Sequence, residues 1–271
     1  MSAVAGQGNR LARAFERARG EKRAALVIYL CAGDPDLPTS VRLMKAIARA
    51  GADVIEVGVP FSDPTADGVV IQRASERALA AGTTLLGVLD AVAELRRESD
   101  VPVVLFGYYN PILAHGEAVV AERAAKAGVD GFLVVDLPPE EASGFHAQIQ
   151  AKGMSLVPLV APTTSDARLA LVTRFADAFV YYVSLTGVTG AATDLAAAAK
   201  RAEEVRAHVK RPVAVGFGVK TPDDARAVAA RADGVVVGSA ICSLIAAANG
   251  GDDAVAKVSA LVASLRAACV R

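Results

Sequence analysis

Glu56 stands inside an apolar run, between Ile55 and Val57, in the stretch VIEVGVPFSDPTADGVVIQ that spans positions 54 to 72. Asp63 and Asp67 follow in a loop punctuated by Pro and Gly. Burying a carboxylate is costly unless it is paired, because water solvates the charge far better than hydrocarbon does. Such a group either meets a buried cation or does chemistry. Burial also raises its pKa toward the range where a carboxyl group exchanges protons near neutral pH. An ion pair with a helix Lys or Arg would account for Glu56 alone, but not for the loop that follows, with its two further acids and its Phe61, Ser62 and Pro64. Read as chemistry, Glu56 is a general acid and base, and Asp67 holds a donor or steadies a developing positive charge across the substrate.

A second group of residues suits an anion. GFG (216 to 218) ends one apolar run, GSAI (238 to 241) ends the next and leads into a helical segment, and GVTG (187 to 190) follows an earlier one. Glycines let backbone N–H groups approach a phosphate, a helix N-terminus adds its dipole, and Ser239 adds a hydroxyl. One glycine at a strand end is by default a turn or a cap. Three such loops converging on one rim read as a phosphate cradle, and hence a small phosphorylated metabolite as substrate.

Eight apolar runs of strand length must position these groups: 24 to 31, 53 to 58, 101 to 107, 131 to 136, 155 to 160, 178 to 183, 212 to 218 and 234 to 238. They are nearly continuous in apolarity, as parallel strands covered by helices are. Helical periodicity separates them. Leu43, Met44, Ile47 and Ala48 share one face, and Leu85, Val88, Leu89, Val92 and Leu95 share another. AGADVIEVG, AGVDGFLVV, FADAFVYYV and RADGVVVGS echo one another, each a helix end, an Asp-bearing turn and a strand, at strands two, four, six and eight. The expected fold is an α/β class (β/α)8 TIM barrel over 1 to 271, one domain, with an additional N-terminal helix from Asn9 to Arg19. An open doubly wound sheet is disfavoured, because AGDPD rather than GxGxxG follows the first strand. The long loops after strands two and six then share the C-terminal face, where barrel chemistry is found.

Composition excludes several classes. Lys plus Arg and Asp plus Glu are 29 each, so no overall field draws the chain to nucleic acid or an acidic membrane. The early basic run, Arg10 to Arg23, is interrupted by Glu16 and Glu21 and reads as a solvated helix face. Cys31, Cys242 and Cys269 are odd in number and far apart, which points to reduced thiols and a cytoplasmic setting. The first apolar run is too short to span a membrane. His115, His146 and His208 are isolated and expected to serve packing or the surface.

On its motifs, the sequence resembles the α subunit of tryptophan synthase over nearly its whole length. They are AGDPD (32 to 36), GADVIEVGVPFSDPTADG (51 to 68), VIQRASERALAAGTT (70 to 84), GYYNPI (107 to 112), VDLPPEE (135 to 141), VAPTT (160 to 164), GVTG (187 to 190), VGFGV (215 to 219) and VVVGSAI (235 to 241). The resemblance implies retro-aldol cleavage of indole-3-glycerol phosphate to indole and glyceraldehyde 3-phosphate, without metal or organic cofactor. It implies Glu56 as general acid and base, Asp67 on the indole N–H, and Tyr181 beside the glutamate. Gly190, Gly218, Gly238 and Ser239 match the phosphate cradle, and Tyr108 matches the indole pocket. Pro60 and Asp63 match part of the surface that meets a PLP-dependent β subunit, in an α2β2 heterotetramer where indole passes to the partner. Thr65 and Val69 stand where Leu and Pro are usual, Ile28 and Cys31 replace a common Pro and Thr, and Ala192 replaces an Arg. Two alternatives stay open: another phosphate-binding barrel isomerase, and a catalytically idle partner that activates a β subunit.

Overall fold

Runs of Val, Ile and Leu make parallel strands here because both faces of each strand are covered, one by helices and one by the barrel interior. The computed structural model describes residues 9–183, 195–216 and 218–271. The strands are β1 (Ala25–Cys31), β2 (Val54–Gly58), β3 (Val103–Gly107), β4 (Gly131–Val134), β5 (Ser155–Leu156), β6 (Leu159–Val160), β7 (Val180–Val183), β8 (Val213–Gly216) and β9 (Gly234–Val237). All pair in parallel, in the order β5-β4-β3-β2-β1-β9-β8-β7-β6.

The two ends of that order are halves of one expected strand, SLVPLV. Pro158 brings no N–H to the ladder and interrupts it. The Val157 N–H still reaches the Phe132 carbonyl (2.8 Å), while the Pro158 carbonyl accepts the Tyr181 N–H (3.0 Å). The chain thus changes partner from β4 to β7 across two residues, and the barrel closes there. Eight strand positions stand as expected, the fifth in two pieces.

Alternation divides the core. Leu26, Ile28, Leu30, Ile55, Val57, Val103, Leu105, Val235 and Val237 face the helix layer, whereas Val27, Val54, Val104, Ala214 and Val236 fill the interior. Helix α1 (Arg10–Gly20), with Asn9 capping it through the Leu11 N–H, plugs the N-terminal end of the barrel with Leu11, Ala14, Phe15 and Ala18. Phe15 lies 4.8 Å from Phe179 between ring centroids. Helices α2 (Leu37–Arg49) and α3 (Val69–Ala80) come next, and α4 (Leu85–Arg96) follows α3 before β3. Thus β2 leads into two helices rather than one, and α3, with Ala74 and Ala78, covers Tyr29 and Cys31 at the other end of the barrel. Further on lie α5 (Tyr109–His115), α6 (Glu117–Ala127), α7 (Ser143–Gln150), α8 (Asp166–Thr173), α9 (Leu195–Val209), α10 (Pro222–Ala229), α11 (Ser239–Ala246) and α12 (Gly251–Ala268).

The Asp-bearing turns of the internal echo have a common use. Asp53, Asp130, Asp177 and Asp233 each precede an even-numbered strand position. Each accepts the N–H at the start of the strand before it: Leu26 (2.9 Å), Val103 (2.8 Å), Leu156 (2.9 Å) and Val213 (3.0 Å). Basic side chains complete each clasp, Arg23 and Arg17 on Asp53, Arg10 and Arg96 on Asp130, His146 on Asp177, and Arg206 and Arg271 on Asp233. Register is therefore fixed at the N-terminal face, and the opposite face is left for loops.

Candidate active site

Glu56 shares its strand face with Val54, so alternation turns it into the barrel, not toward the helices. Its Cα lies in register with Tyr29 on β1 and Val104 on β3. The residue is 0% exposed, and among the described residues neither carboxylate oxygen has a hydrogen-bond partner. The helix Lys or Arg that would have made it a structural ion pair is absent from those residues. Burial without compensation raises its pKa from 4.5 to about 8. At neutral pH the group is mostly a neutral acid with a proton to give.

Two buried phenols border it. Tyr181 on β7 and Tyr29 on β1 are both held well above the ordinary tyrosine range, by burial first and then by neighbouring acids, Glu56 and Asp67 among them. Their hydroxyls occupy space that only glycine leaves. A Cβ on Gly216 would stand 1.9 Å from the Tyr181 Oη, and one on Gly58 would stand 2.3 Å from the Tyr29 Oη. Tyr29 was not singled out from the sequence, since a tyrosine in ALVIYLC is ordinary strand composition. Its signal was its place on the inward face, in register with Glu56.

Asp67 enters from the loop after β2. Burial raises it to about 6, and a hydrogen bond from Tyr108, whose Oη donates to Oδ2 at 3.2 Å, works the other way. The Tyr108 Oη also accepts the Ala66 N–H (3.0 Å), and its ring stacks on Phe61 with centroids 4.9 Å apart. Because Glu56 and Asp67 both act on Tyr181, these residues occupy one mouth. Of the two residues matched to a partner surface, Asp63 is exposed whereas Pro60 is buried within the chain.

At the opposite rim, Gly218 takes a φ of +86° between β8 and α10, a conformation that favours glycine. Ser239 is the first residue of α11, with Gly238 as an N-cap that supplies no side-chain hydrogen bond. The first N–H groups of that helix thus have no side-chain cap from their own terminus. Gly190 and the rest of GVTG lie outside the described residues.

Volume is a poor guide to this site. A hollow of about 650 Å³ lies at the other end of the barrel, lined among others by Arg10, Arg13, Asp100 and Asp130, where Arg10 pairs with both Asp130 of the clasp and exposed Asp100. A cavity of about 360 Å³ does flank the mouth, lined among others by Val135, Leu137, Leu159 and Arg168.

A family profile described as Tryptophan synthase alpha chain matches residues 15–270. The chain belongs to this family. The tryptophan synthase alpha chain of Geobacter sulfurreducens is 51% identical over 257 residues, 93% of this chain and 97% of that one. That of Laribacter hongkongensis is 51% identical over 262 residues, covering 96% and 98%. Among solved structures, tryptophan synthase subunit alpha from Legionella pneumophila superposes with a TM-score of 0.90 at 40% identity, over 97% of this chain and 99% of that one. Tryptophan synthase from Mycobacterium tuberculosis gives 0.87 at 35% identity, over 97% and 99%. The barrel of the tryptophan synthase alpha family is thus common to sequence and structure, and another barrel isomerase is no longer a competing reading.

Proposed function

We propose that Glu56, Asp67 and Tyr181 carry the reaction of this family in the present chain. That reaction is carbon–carbon cleavage of indole-3-glycerol phosphate to indole and glyceraldehyde 3-phosphate. Neutral Glu56 gives its proton to indole C3, which makes the ring a cationic leaving group. The carboxylate so formed then takes the proton of the glycerol hydroxyl on the adjacent carbon. The C–C bond breaks, its electron pair restores the aromatic ring, and the hydroxyl carbon becomes the aldehyde. Glu56 ends as it began, with one proton received for the one given. Asp67 accepts the indole N–H and stabilises the transient positive charge, and Tyr181 borders Glu56 inside the mouth.

The observation that carries this reading is the fully buried Glu56 carboxyl, without a partner among the described residues, with its pKa near 8. A structural acid in the same strand would have a cation beside it. The substrate phosphate is assigned to Gly218, Gly238 and Ser239, with Gly190 as the fourth member, and the indole ring to the side of Tyr108. The uncapped start of α11 and the positive φ of Gly218 support that end.

The family name implies a β-subunit partner. We further assign this chain to an α2β2 heterotetramer in the cytoplasm, meeting its partner around Asp63 and handing indole to it. The whole of 1 to 271 serves as one barrel domain. Among the described residues no single helix is long and apolar enough to cross a membrane. The test is indole release from indole-3-glycerol phosphate by the purified chain, with and without a β subunit. Release by the chain alone, enhanced by the partner, is the expected result. No release in either condition would leave only the idle-partner reading.

A further inference from the structure

Asp67 is gripped at two points from two different elements. Tyr108, the N-cap of α5, donates its Oη proton to Asp67 Oδ2 (3.2 Å) and accepts the Ala66 N–H (3.0 Å). Its ring is stacked on Phe61 with 28° between the planes, so the same loop holds the phenol at both ends. From α3, Gln72 Nε2 donates to the Asp67 carbonyl (2.8 Å) and to the Pro64 carbonyl (3.4 Å). Helix α3 is anchored in turn by Arg77, whose guanidinium meets buried Asp34 of AGDPD at 2.8 and 2.7 Å.

We propose that Tyr108 and Gln72 are the positioning residues of Asp67, the phenol aiming its carboxylate into the mouth and the amide fixing the turn that carries it. Tyr108 then does more than wall an indole pocket, and Gln72 acquires a role in the reaction without touching substrate. The inference rests on the reading of Asp67 as acceptor of the indole N–H. A carboxylate fixed in its productive direction spares the reaction the entropy of finding it.

Among the described residues, the titratable groups that face Asp67 are Tyr108, Tyr29 on β1, Tyr181 on β7, the thiols of Cys31 and Cys242 on β1 and α11, and Glu56, which acts with Asp67 on Tyr181. None of these is a cation. Among the described residues, the Tyr108 hydrogen bond is what opposes burial at Asp67, so the phenol also helps keep the carboxylate ionised.

Tyr108→Phe keeps the ring on Phe61 and removes the donor. In the full chain, carbon-13 NMR of the Asp67 carboxyl should show its titration midpoint moved up by about one pH unit, the worth of one charge-assisted hydrogen bond. kcat/KM for cleavage should fall about tenfold below pH 6 and recover toward wild type by pH 8. Gln72→Leu should lower kcat/KM by about tenfold at every pH and leave the midpoint in place. An unmoved Asp67 titration in Tyr108→Phe overturns the proposal, as does an equal, pH-independent loss in both variants. A titration that moves while the activity profile stays still supports the grip and removes instead the reading of Asp67 as indole acceptor.

Discussion

Glu56→Gln should make the protein inactive and, at alkaline pH, more stable. The perturbation replaces a carboxyl group by an amide of nearly the same shape that cannot lose a proton. In the native chain the group titrates near 8 rather than 4.5 because burial penalises its charged form. Between those values the folded state binds a proton that the unfolded state has lost, so stability falls as pH rises through the window and is flat on either side. At about 1.4 kcal/mol per pH unit, the loss by pH 8 to 9 is on the order of 5 kcal/mol. The glutamine variant has no such slope. Its own penalty, about 1–3 kcal/mol for unpaired amide N–H groups, is the same at every pH. Urea denaturation followed by circular dichroism at pH 5 and pH 8.5 should therefore show the variant equal to or below wild type at the lower pH, and several kcal/mol above it at the higher. Indole release should fall by about 10²–10⁴-fold at both. Equal pH slopes in the two proteins would mean that Glu56 is ionised in the fold, and the account of both its burial and its proton chemistry would fail.

Three further outcomes follow from named contacts. Asp130→Ala removes the buried carboxylate of Arg10 and Arg96, which keep only carbonyls and exposed Asp100, and strips the Val103 N–H of its acceptor; it should cost about 3 kcal/mol in urea denaturation without changing kcat of the folded enzyme. Gly238→Val crowds Tyr29, whose Cβ and Cδ1 a new Cβ would meet at 3.3 Å, and should weaken the binding of glycerol phosphate by calorimetry and raise KM more than it lowers kcat. Val69→Pro places a proline at the first position of α3, where the missing N–H and fixed φ suit a helix start. With Gly68 at φ −72°, ψ 157°, already suited to precede proline, it should raise stability by about 0.4–1 kcal/mol in thermal melts.

Strands were legible because parallel, doubly covered strands leave continuous apolar runs, and all eight runs became strand positions. The split at Pro158 was written in SLVPLV, but which neighbour each half would join depends on closure of the ring. Helix α3 is hard to read as a second helix after β2, since VIQRASERALA packs only Ala74, Ser75 and Ala78 firmly and its apolar face is thin. Glu56 was conspicuous as an acid among Ile and Val, yet only strand alternation in the closed barrel decides which way it points. Tyr29 and Gln72 were invisible for the opposite reason. A tyrosine in a strand and a glutamine in a helix are both commonplace, and their significance comes from partners far along the chain or across a loop.

The four aspartate clasps have a bearing on how the barrel assembles. Each aspartate side chain ties an even strand position to the odd one immediately before it, whereas the Asp130 and Asp233 carbonyls reach the next pair, at Ser155 and Ala25. The side-chain bonds to strand N–H groups, spanning 20 to 27 residues, thus mark out quarter-barrels, and Arg10 and Arg271 reinforce two of them from distant parts of the chain. Such units are expected to protect their amides from hydrogen exchange as blocks of two strands. Substitutions at the mouth, where Glu56 and Asp67 sit, can then alter chemistry without disturbing the clasps on which assembly depends.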